Sequence, residues 1–345
     1  MTTKRWTAIS IAIGIFILSF IISNLTLKVN QTGKSDNGVM NTATTFLGEQ
    51  GLNEIVVSEG TQKKRIALIE VNGTIIANQE ASLLDTSGYN HASFMEQLEA
   101  LKKDESIKGI LLSVNSPGGG TYESAQIKDK IDELQKGTKI PLYVSMGNVA
   151  ASGGYYIAAS ADKIFASEET LTGSIGVIMS SLNLSELYEK IGIEDMTIKS
   201  GQFKDIGSIS KKMTEEDQLI LQSLVDDSYN RFVTVVSEGR GKDINEVKAL
   251  ADGRIYDGAQ AKANGLVDQI GYYEDALAAL KKDYQIEDAE VFQYSMGSFS
   301  FKSLLSSKVS QFISKKNTTE GLVTELSKQL SDVQSPRMMY LYGGE

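Results

Sequence analysis

The sequence predicts an α/β domain with a largely parallel sheet, preceded by one N-terminal transmembrane helix. From residue 65 onward, short segments rich in Ile, Leu and Val alternate with segments of helical periodicity, which is typical of βαβ units. The strand segments are apolar almost throughout, as expected for a sheet covered on both faces. Residues 6–27 carry no ionisable side chain and are long enough to span a bilayer, for which about 20 residues are needed.

The apolar N-terminal segment is preceded by Lys4 and Arg5, a charge pattern that keeps the N-terminus in the cytoplasm and places the chain after Lys28 outside. The alternative is a cleaved signal peptide, but its apolar region would be shorter, and no A-x-A-like cleavage site follows here. We therefore expect residues 1–28 to be a single-pass anchor in the cell membrane, with an extracytoplasmic globular part. Residues 29–63 mix Gly, Asn, Thr, Ser and Gln with few aromatic residues, which predicts a flexible tether.

Composition limits the chemistry of the globular part. The chain of 345 residues is 41% hydrophobic and 23% charged, as in an ordinary globular protein of one large or two modest domains. The net charge of −10 and the absence of a basic stripe argue against a nucleic-acid partner. There is no cysteine and His91 is the only histidine, which excludes a cysteine nucleophile, a cysteine zinc site and a multi-histidine metal site. We expect no metal and no other cofactor.

The globular part is predicted to alternate strands and helices from its start. The predicted strands share an apolar, β-branched composition: 65–71, 108–115, 141–145, 163–166 and 196–199. The predicted helices have apolar residues at helical spacing: 91–103, 122–135, 154–159, 184–191 and a long helix opened by a capping-box pattern at 214–217.

Ser152 is the first candidate for chemistry, because it lies among small residues between a predicted buried strand and an apolar helix. At such a turn the Oγ is exposed, and the first N–H groups of the helix point toward any negative charge that develops nearby. That geometry suits a nucleophile. The alternative is a helix N-cap serine beside glycines that permit close packing.

Two backbone donors for an oxyanion can also be placed. The glycine-rich segment 116–120 follows a predicted parallel strand at the carboxyl edge of the sheet, where a backbone N–H can approach a substrate carbonyl. The N–H of Gly153 is the second candidate donor. The alternative for segment 116–120 is a flexible turn.

The general base is harder to assign. His91 lies at a predicted helix start, and nothing nearby marks it as a member of a catalytic triad. A lysine can replace histidine when burial removes its charge, since desolvation lowers the pKa of a lysine by up to about 3–5 units. Lys204 lies in a Gly-flanked loop after a predicted strand and is the best candidate, although Asp205 beside it favours an ordinary charged lysine. Ser174 could orient the amine, and the S-x-x-K spacing at 208–211 lacks its companion K-T-G motif.

Four blocks in this order resemble the signature blocks of the signal peptide peptidase A family in its short bacterial form: 114–120, 150–156, 172–177 and 200–205. The resemblance extends from about residue 65 to residue 270, and the Tyr-rich tail is similar to that of Gram-positive members. It implies a fold of repeated ββα-type units related to the Clp protease proteolytic subunit and the crotonases. It also implies a dome-shaped homo-oligomer, an octamer, in which neighbouring subunits complete each site in some members.

By this resemblance Ser152 is the nucleophile, Lys204 the general base, and Ser174 the hydroxyl that orients the lysine, while Gly119 and Gly153 are the oxyanion donors. The implied activity is that of a membrane-anchored serine endopeptidase that uses a Ser-Lys dyad to degrade signal-peptide remnants. Two other functions stay open at this point, a crotonase-type acyl-CoA enzyme and a non-catalytic membrane-anchored oligomeric scaffold.

The expected domain order is the anchor, the tether, a peptidase domain over 64–295 and a helical C-terminal segment over 296–345. The chain ends in an apolar stretch that follows Arg337 and resembles a peptide substrate. We expect this tail to lie in the substrate groove of its own or of a neighbouring subunit.

Overall fold

A computed structural model describes residues 52–77, 89–296 and 338–343 of the chain. The strands of the main sheet are β1 (Leu52–Ser58), β2 (Thr61–Asn72), β3 (Ile107–Ser116), β5 (Leu142–Ala151), β6 (Lys163–Ala166), β7 (Leu171–Gly173), β9 (Ile255–Tyr256), β10 (Gln269–Ile270) and β11 (Ala289–Met296). A second, three-stranded sheet contains β4 (Gly118–Gly120), β8 (Ile178–Met179) and β12 (Met338–Leu341). The helices are α1 (His91–Lys103), α2 (Thr121–Thr138), α3 (Gly153–Ala158), α4 (Ser185–Ile191), α5 (Glu215–Arg240), α6 (Ile244–Leu250), α7 (Gly258–Ala263) and α8 (Tyr273–Asp283).

The main sheet has the strand order β1-β11-β2-β3-β5-β6-β10, with β7 paired to β5 and to β9. The pairs β11-β2, β2-β3, β3-β5, β5-β6, β6-β10 and β5-β7 are parallel, whereas β1-β11 and β7-β9 are antiparallel. The predicted α/β class with a mostly parallel sheet is therefore confirmed.

Within the three described ranges, no helix is both long and apolar enough to cross a membrane. The anchor predicted over 1–28 lies outside the described residues.

Both faces of the central strands are covered, as their continuous apolar sequences predict. Successive residues of a strand project to opposite faces. In β2, Ala67 and Ile69 therefore belong to the cluster of buried side chains that includes residues of α1 and α2. Ile66 and Leu68 face the other way and pack in a second cluster with Leu280 of α8. The sheet is thus held between helices on both sides, with its carboxyl edge left free for a site.

The predicted start of the long helix α5 is confirmed in atomic detail. The Asp217 N–H donates to Thr214 Oγ1 (3.1 Å), and the Thr214 N–H donates to Asp217 Oδ2 (3.1 Å), so the two residues form a reciprocal capping box. The helix ends at Gly241, whose φ of 60° is readily adopted by glycine.

The folded part begins earlier than the sequence suggested. Residues 52–63, assigned above to the tether, instead form β1 and the first residues of β2. β1 pairs with β11, which lies more than 200 residues later in the chain, and Glu54 forms an ion pair with Arg65. Most of β1 is exposed, including the apolar Ile55, Val56 and Val57, and its strand pairing is with the distant β11. Residues 29–51 lie outside the described residues.

The C-terminal segment also differs from its prediction where it is described. Of the segment 296–345, predicted to be helical with an apolar tail, residues 338–341 form strand β12. Residues 297–337 lie outside the described residues. The strand predicted over 196–199 is absent, and these residues are exposed without regular structure. An exposed segment has no sheet edge to pair with, so its β-branched composition alone does not produce a strand.

Candidate active site

Ser152 lies at the predicted turn between strand β5 and helix α3, but in the structure it is buried (1% exposed) rather than exposed. Its N–H donates to the carbonyl of Gly173 (2.8 Å), and its own carbonyl accepts from the N–H of Tyr156 (2.8 Å). These two bonds hold the residue at φ 53° and ψ −116°, a conformation that costs a residue with a Cβ on the order of 1–3 kcal/mol. No hydrogen bond joins its Oγ to another described side chain. A strained serine with an uncommitted hydroxyl is the arrangement expected of a nucleophile.

The two candidate oxyanion donors lie next to Ser152. A Cβ placed on Gly153 would lie 3.1 Å from the backbone nitrogen of Gly119, so the two backbones touch. Strand β4 is fixed from its other side by Ile75, whose N–H donates to the Gly118 carbonyl (2.8 Å) and whose carbonyl accepts from the Gly120 N–H (2.8 Å). The structure thus brings Gly119 and Gly153 together beside Ser152.

The C-terminal strand β12 occupies the groove formed by β4 and β8. It runs antiparallel to β4, with Tyr340 opposite Gly119. The Tyr342 N–H donates to the Pro117 carbonyl (2.8 Å), and in an antiparallel ladder the pair two residues along is again hydrogen-bonded, so the Gly119 N–H donates to the Tyr340 carbonyl. A Cβ placed on Gly118 would lie 2.0 Å from that carbonyl oxygen and 2.6 Å from the nitrogen of Gly153. A peptide carbonyl of the chain itself therefore lies beside Gly118, on the side where the Gly153 nitrogen also lies.

The side chain of Tyr340 fills a buried pocket under the groove. Its ring stacks on Tyr156 (4.9 Å between centroids) and contacts Phe232 (4.8 Å). Its hydroxyl lies 3.0 Å from Ser228 Oγ, and burial raises the pKa of Tyr340. This pocket was not predicted from the sequence. The only signal was the apolar face of α5, which could not show that part of that face binds a peptide side chain.

Ser174 lies one residue beyond the backbone partner of Ser152. It is buried at φ 47°, and its N–H donates to the Arg254 carbonyl (2.8 Å). It lines a cavity of about 510 Å³ that also contacts Leu341 and Tyr342 of the tail. The structure therefore places Ser174 on the side of the groove that holds Leu341 and Tyr342, the residues after Tyr340.

Whereas Ser152 is buried, Lys204 is exposed in the described part of the chain. It lies in a run of turns over 201–207 with an exposed side chain, and its Nζ forms no hydrogen bond or ion pair with a described residue. The burial that a neutral lysine requires is therefore not provided by the described part of its own chain.

The carboxylate of Asp205, the neighbour of Lys204 in the chain, is engaged by two other lysines. Both oxygens of Asp205 are engaged, Oδ2 by Lys199 Nζ (2.6 Å) and Oδ1 by Lys211 Nζ (3.3 Å). Hydrogen bonding to Lys199 is the largest cause that lowers the pKa of Asp205. Lys211 Nζ also forms an ion pair with Oδ2 of the buried Asp217 (2.8 Å). This ion pair connects the loop to the start of α5.

The other serine, lysine and histidine candidates have structural roles. His91 is buried at the start of α1, with Nδ1 2.6 Å from the Tyr89 hydroxyl and Nε2 2.9 Å from Gln126 Oε1. Lys211 of the S-x-x-K spacing is committed to Asp205 and Asp217. Across the described ranges, no cluster of three or more His, Cys, Asp or Glu side chains could hold a metal ion.

Comparisons with known proteins agree with the geometry. The model of peptidase family S49 matches residues 134–287, and that of the Clp protease family matches residues 55–172. A protein of Enterococcus faecium named "Putative signal peptide peptidase SppA" is 45% identical over 350 aligned residues that cover 100% of both chains. "Protease 4" of Haemophilus influenzae is 33% identical over 81% of this chain and 46% of that protein. "Serine protease SPPA, chloroplastic" of Arabidopsis thaliana is 30% identical over 77% of this chain and 39% of that protein.

Proposed function

This chain belongs to peptidase family S49, and from that premise we propose that it is a membrane-anchored serine endopeptidase that degrades cleaved signal peptides with a dyad of Ser152 and Lys204. The observation that carries the proposal is the position of the Tyr340 carbonyl. Tyr340 lies opposite Gly119, and its carbonyl lies beside Gly118 near the Gly153 nitrogen, next to the strained Ser152, which is where we expect the reacting carbonyl of a peptide substrate.

The chemistry proposed for this arrangement is acyl transfer through the serine. Neutral Lys204 takes the proton of Ser152 Oγ while Oγ bonds to the carbonyl carbon, and the oxyanion accepts hydrogen bonds from the Gly119 and Gly153 N–H groups. Lys204 then gives the proton to the leaving amine as the peptide bond breaks. A water molecule, deprotonated by the same lysine, attacks the acyl-enzyme and releases the new carboxylate. Ser174 is the hydroxyl proposed to orient the amine.

A second subunit is proposed to complete the site. The elements around Lys204 carry many exposed large apolar side chains, of which Ile198 is fully exposed (100%), and exposed apolar patches of this kind mark interaction surfaces. A neighbouring copy in a homo-octamer would cover these side chains and desolvate Lys204. The exposed large apolar side chains of this region are Leu182, Leu187, Ile191, Ile193, Met196, Ile198, Met213, Leu219, Ile220 and Leu224.

Signal-peptide remnants fit the groove chemically. The pocket that holds Tyr340 is lined by Tyr156 and Phe232, so it favours a large apolar or aromatic side chain before the cleaved bond. The apolar core of a signal peptide offers such side chains in succession. The anchor proposed for residues 1–28 would hold the site at the membrane surface, where these remnants are left.

A fluorophosphonate probe tests the proposed function. The full-length protein should be labelled at Ser152, because the probe requires an activated serine, and Ser152→Ala should remove the labelling. Ser160→Ala, at the other end of α3, is the matched control and should label normally. A crotonase-type acyl-CoA enzyme or a non-catalytic scaffold would leave the wild type unlabelled, and that result would refute the serine peptidase mechanism.

Removal of the tail tests whether β12 competes with substrate. Deleting the residues after Ser335 should raise kcat/KM for an added fluorogenic peptide by roughly tenfold, because a tethered competitor acts at a high effective concentration. The expected change is in KM, with kcat preserved. Tyr340→Ala in the full-length chain is the matched variant and should give part of the gain, since it empties only the buried pocket. Unchanged kinetics in both proteins would show that the tail does not compete.

A further inference from the structure

A carboxylate of the groove lies beside the substrate position that immediately precedes the residue held in the Tyr340 pocket. In the antiparallel pair of β12 and β4, Met339 lies opposite Gly120. Side chains of directly opposed residues project to the same face, about 5 Å apart at Cβ. Gly120 has no side chain, and the carboxylate of Glu123 takes its place, since a Cβ on Gly120 would lie 1.9 Å from Glu123 Oε2. Glu123 therefore lies beside the side chain at position 339.

The Glu123 carboxylate and the buried pocket lie on opposite faces of β12, because successive side chains of a strand project to opposite faces. Tyr340 projects into the pocket under the groove, so Met339 projects to the opposite face. Met339 is only half-buried, which leaves room there for a longer side chain. The other neighbour on this face is Ile178 of β8, which lies opposite Met339 and is apolar.

The Glu123 carboxylate has no cation of its own among the residues that the structure describes. No ion pair there includes Glu123, and the nearest lysine on α2, Lys128, is paired with Asp132 (2.6 Å). At the start of the adjoining helix α1, Tyr89 and His91 are hydrogen-bonded to each other, and farther along it Glu99 and Lys102 are paired with Lys130 and Glu133. Burial first, and the Glu123 charge second, raise the pKa of Tyr89 well above its ordinary value. Glu123 lies in the first turn of α2, where the helix macrodipole also favours a negative charge.

We propose that Glu123 is a specificity-determining residue that selects lysine or arginine at the position immediately before the residue held in the Tyr340 pocket. This inference rests on the proposed peptidase function and deepens it. The substrate class is therefore a peptide in which a basic residue stands directly before a large apolar or aromatic residue.

The tail itself is a neutral occupant of this subsite. Met339 fills the position opposite Gly120 without offering a charge to Glu123. A peptide with lysine at this position would gain an ion pair that the tail does not make, so it would displace the tail more readily than a neutral peptide would.

Matched peptides test the inference in the full-length enzyme. Two fluorogenic peptides share tyrosine at the pocket position and differ only in lysine or methionine before it. The wild type should give a kcat/KM about 3- to 5-fold higher for the lysine peptide, the size expected of a partly exposed ion pair. Glu123→Gln should bring this ratio to about 1, because only the lysine peptide loses an ion pair. Glu123→Lys should instead favour a peptide with glutamate at that position over the lysine peptide.

A third peptide controls for general attraction between charges. It carries lysine one position earlier, which alternation directs to the opposite face, away from Glu123. It should show no gain that depends on Glu123, and 0.5 M NaCl should reduce the wild-type preference because salt screens exposed charges. Equal lysine preference in the wild type and in Glu123→Gln would overturn this inference alone. If the wild type cleaves no peptide, the proposed function fails, and this inference fails with it.

Discussion

Lys204→Ala should lose peptide turnover by about 10²–10⁴-fold, the range that general acid–base catalysis contributes, while the subunit remains folded. Retained folding is expected because the side chain is exposed and makes no contact that stabilises its own described chain. Lys204→Arg is the matched variant. It keeps the positive charge, but a guanidinium cannot give up its proton in a protein, so it should be as inactive as alanine. The measurement is kcat for a fluorogenic peptide, with circular dichroism to confirm the fold.

Mixing experiments assign Lys204 to one subunit or to two. Ser152→Ala and Lys204→Ala chains should each be inactive alone. If a neighbour supplies the lysine, then in mixed oligomers roughly a quarter of the sites join an intact serine to an intact lysine across the subunit interface. Activity should therefore return on co-expression. Mixed oligomers verified by two affinity tags but without activity would place the dyad within a single chain. Near wild-type activity in Lys204→Ala would remove this residue from the mechanism.

The sequence predicted the parts of the site that lie within one short segment better than the parts formed by distant segments or by several chains. The turn at Ser152 and the glycines of β4 each follow a buried strand, and parallel strands end at one sheet edge, so their proximity follows from local pattern and topology. The family resemblance drawn from four short blocks is confirmed over the whole chain by the comparison with the Enterococcus faecium protein.

What could not be predicted depends on pairing across the chain or between chains. β1 is a strand only because β11 lies beside it, and β12 is a strand only because β4 and β8 form a groove. The pocket around Tyr340 requires Phe232, on a helix about 110 residues away, to meet the tail. The burial of Lys204 is not provided by its own described chain, so periodicity and spacing could not locate it. The alternation that directs Met339 toward Glu123 becomes visible only once the register of β12 is known.

Gly119→Ala should lower kcat by at least about 10²-fold, the cost of losing one oxyanion donor. A Cβ at this position would lie 2.1 Å from the carbonyl oxygen of Ile75 and 2.7 Å from its nitrogen. Both are backbone atoms that form hydrogen bonds with β4, so they cannot move aside without breaking those hydrogen bonds. The strand must shift instead, and the Gly119 N–H then no longer points to the carbonyl position beside Gly153. Overpacking of this kind should also lower the free energy of unfolding by about 1–3 kcal/mol.

Gly137→Ala is the control that separates oxyanion loss from a general effect of adding a methyl group. Gly137 lies in α2 with no atom within 4 Å of the added Cβ, so alanine there should leave kcat unchanged. Because glycine is unfavourable inside a helix, the same substitution should stabilise the fold by about 0.5–1 kcal/mol. The two variants should thus change stability in opposite directions, and only Gly119→Ala should slow both peptide hydrolysis and fluorophosphonate labelling. Wild-type kcat in Gly119→Ala would mean that the carbonyl of the substrate does not lie where Tyr340 places its own.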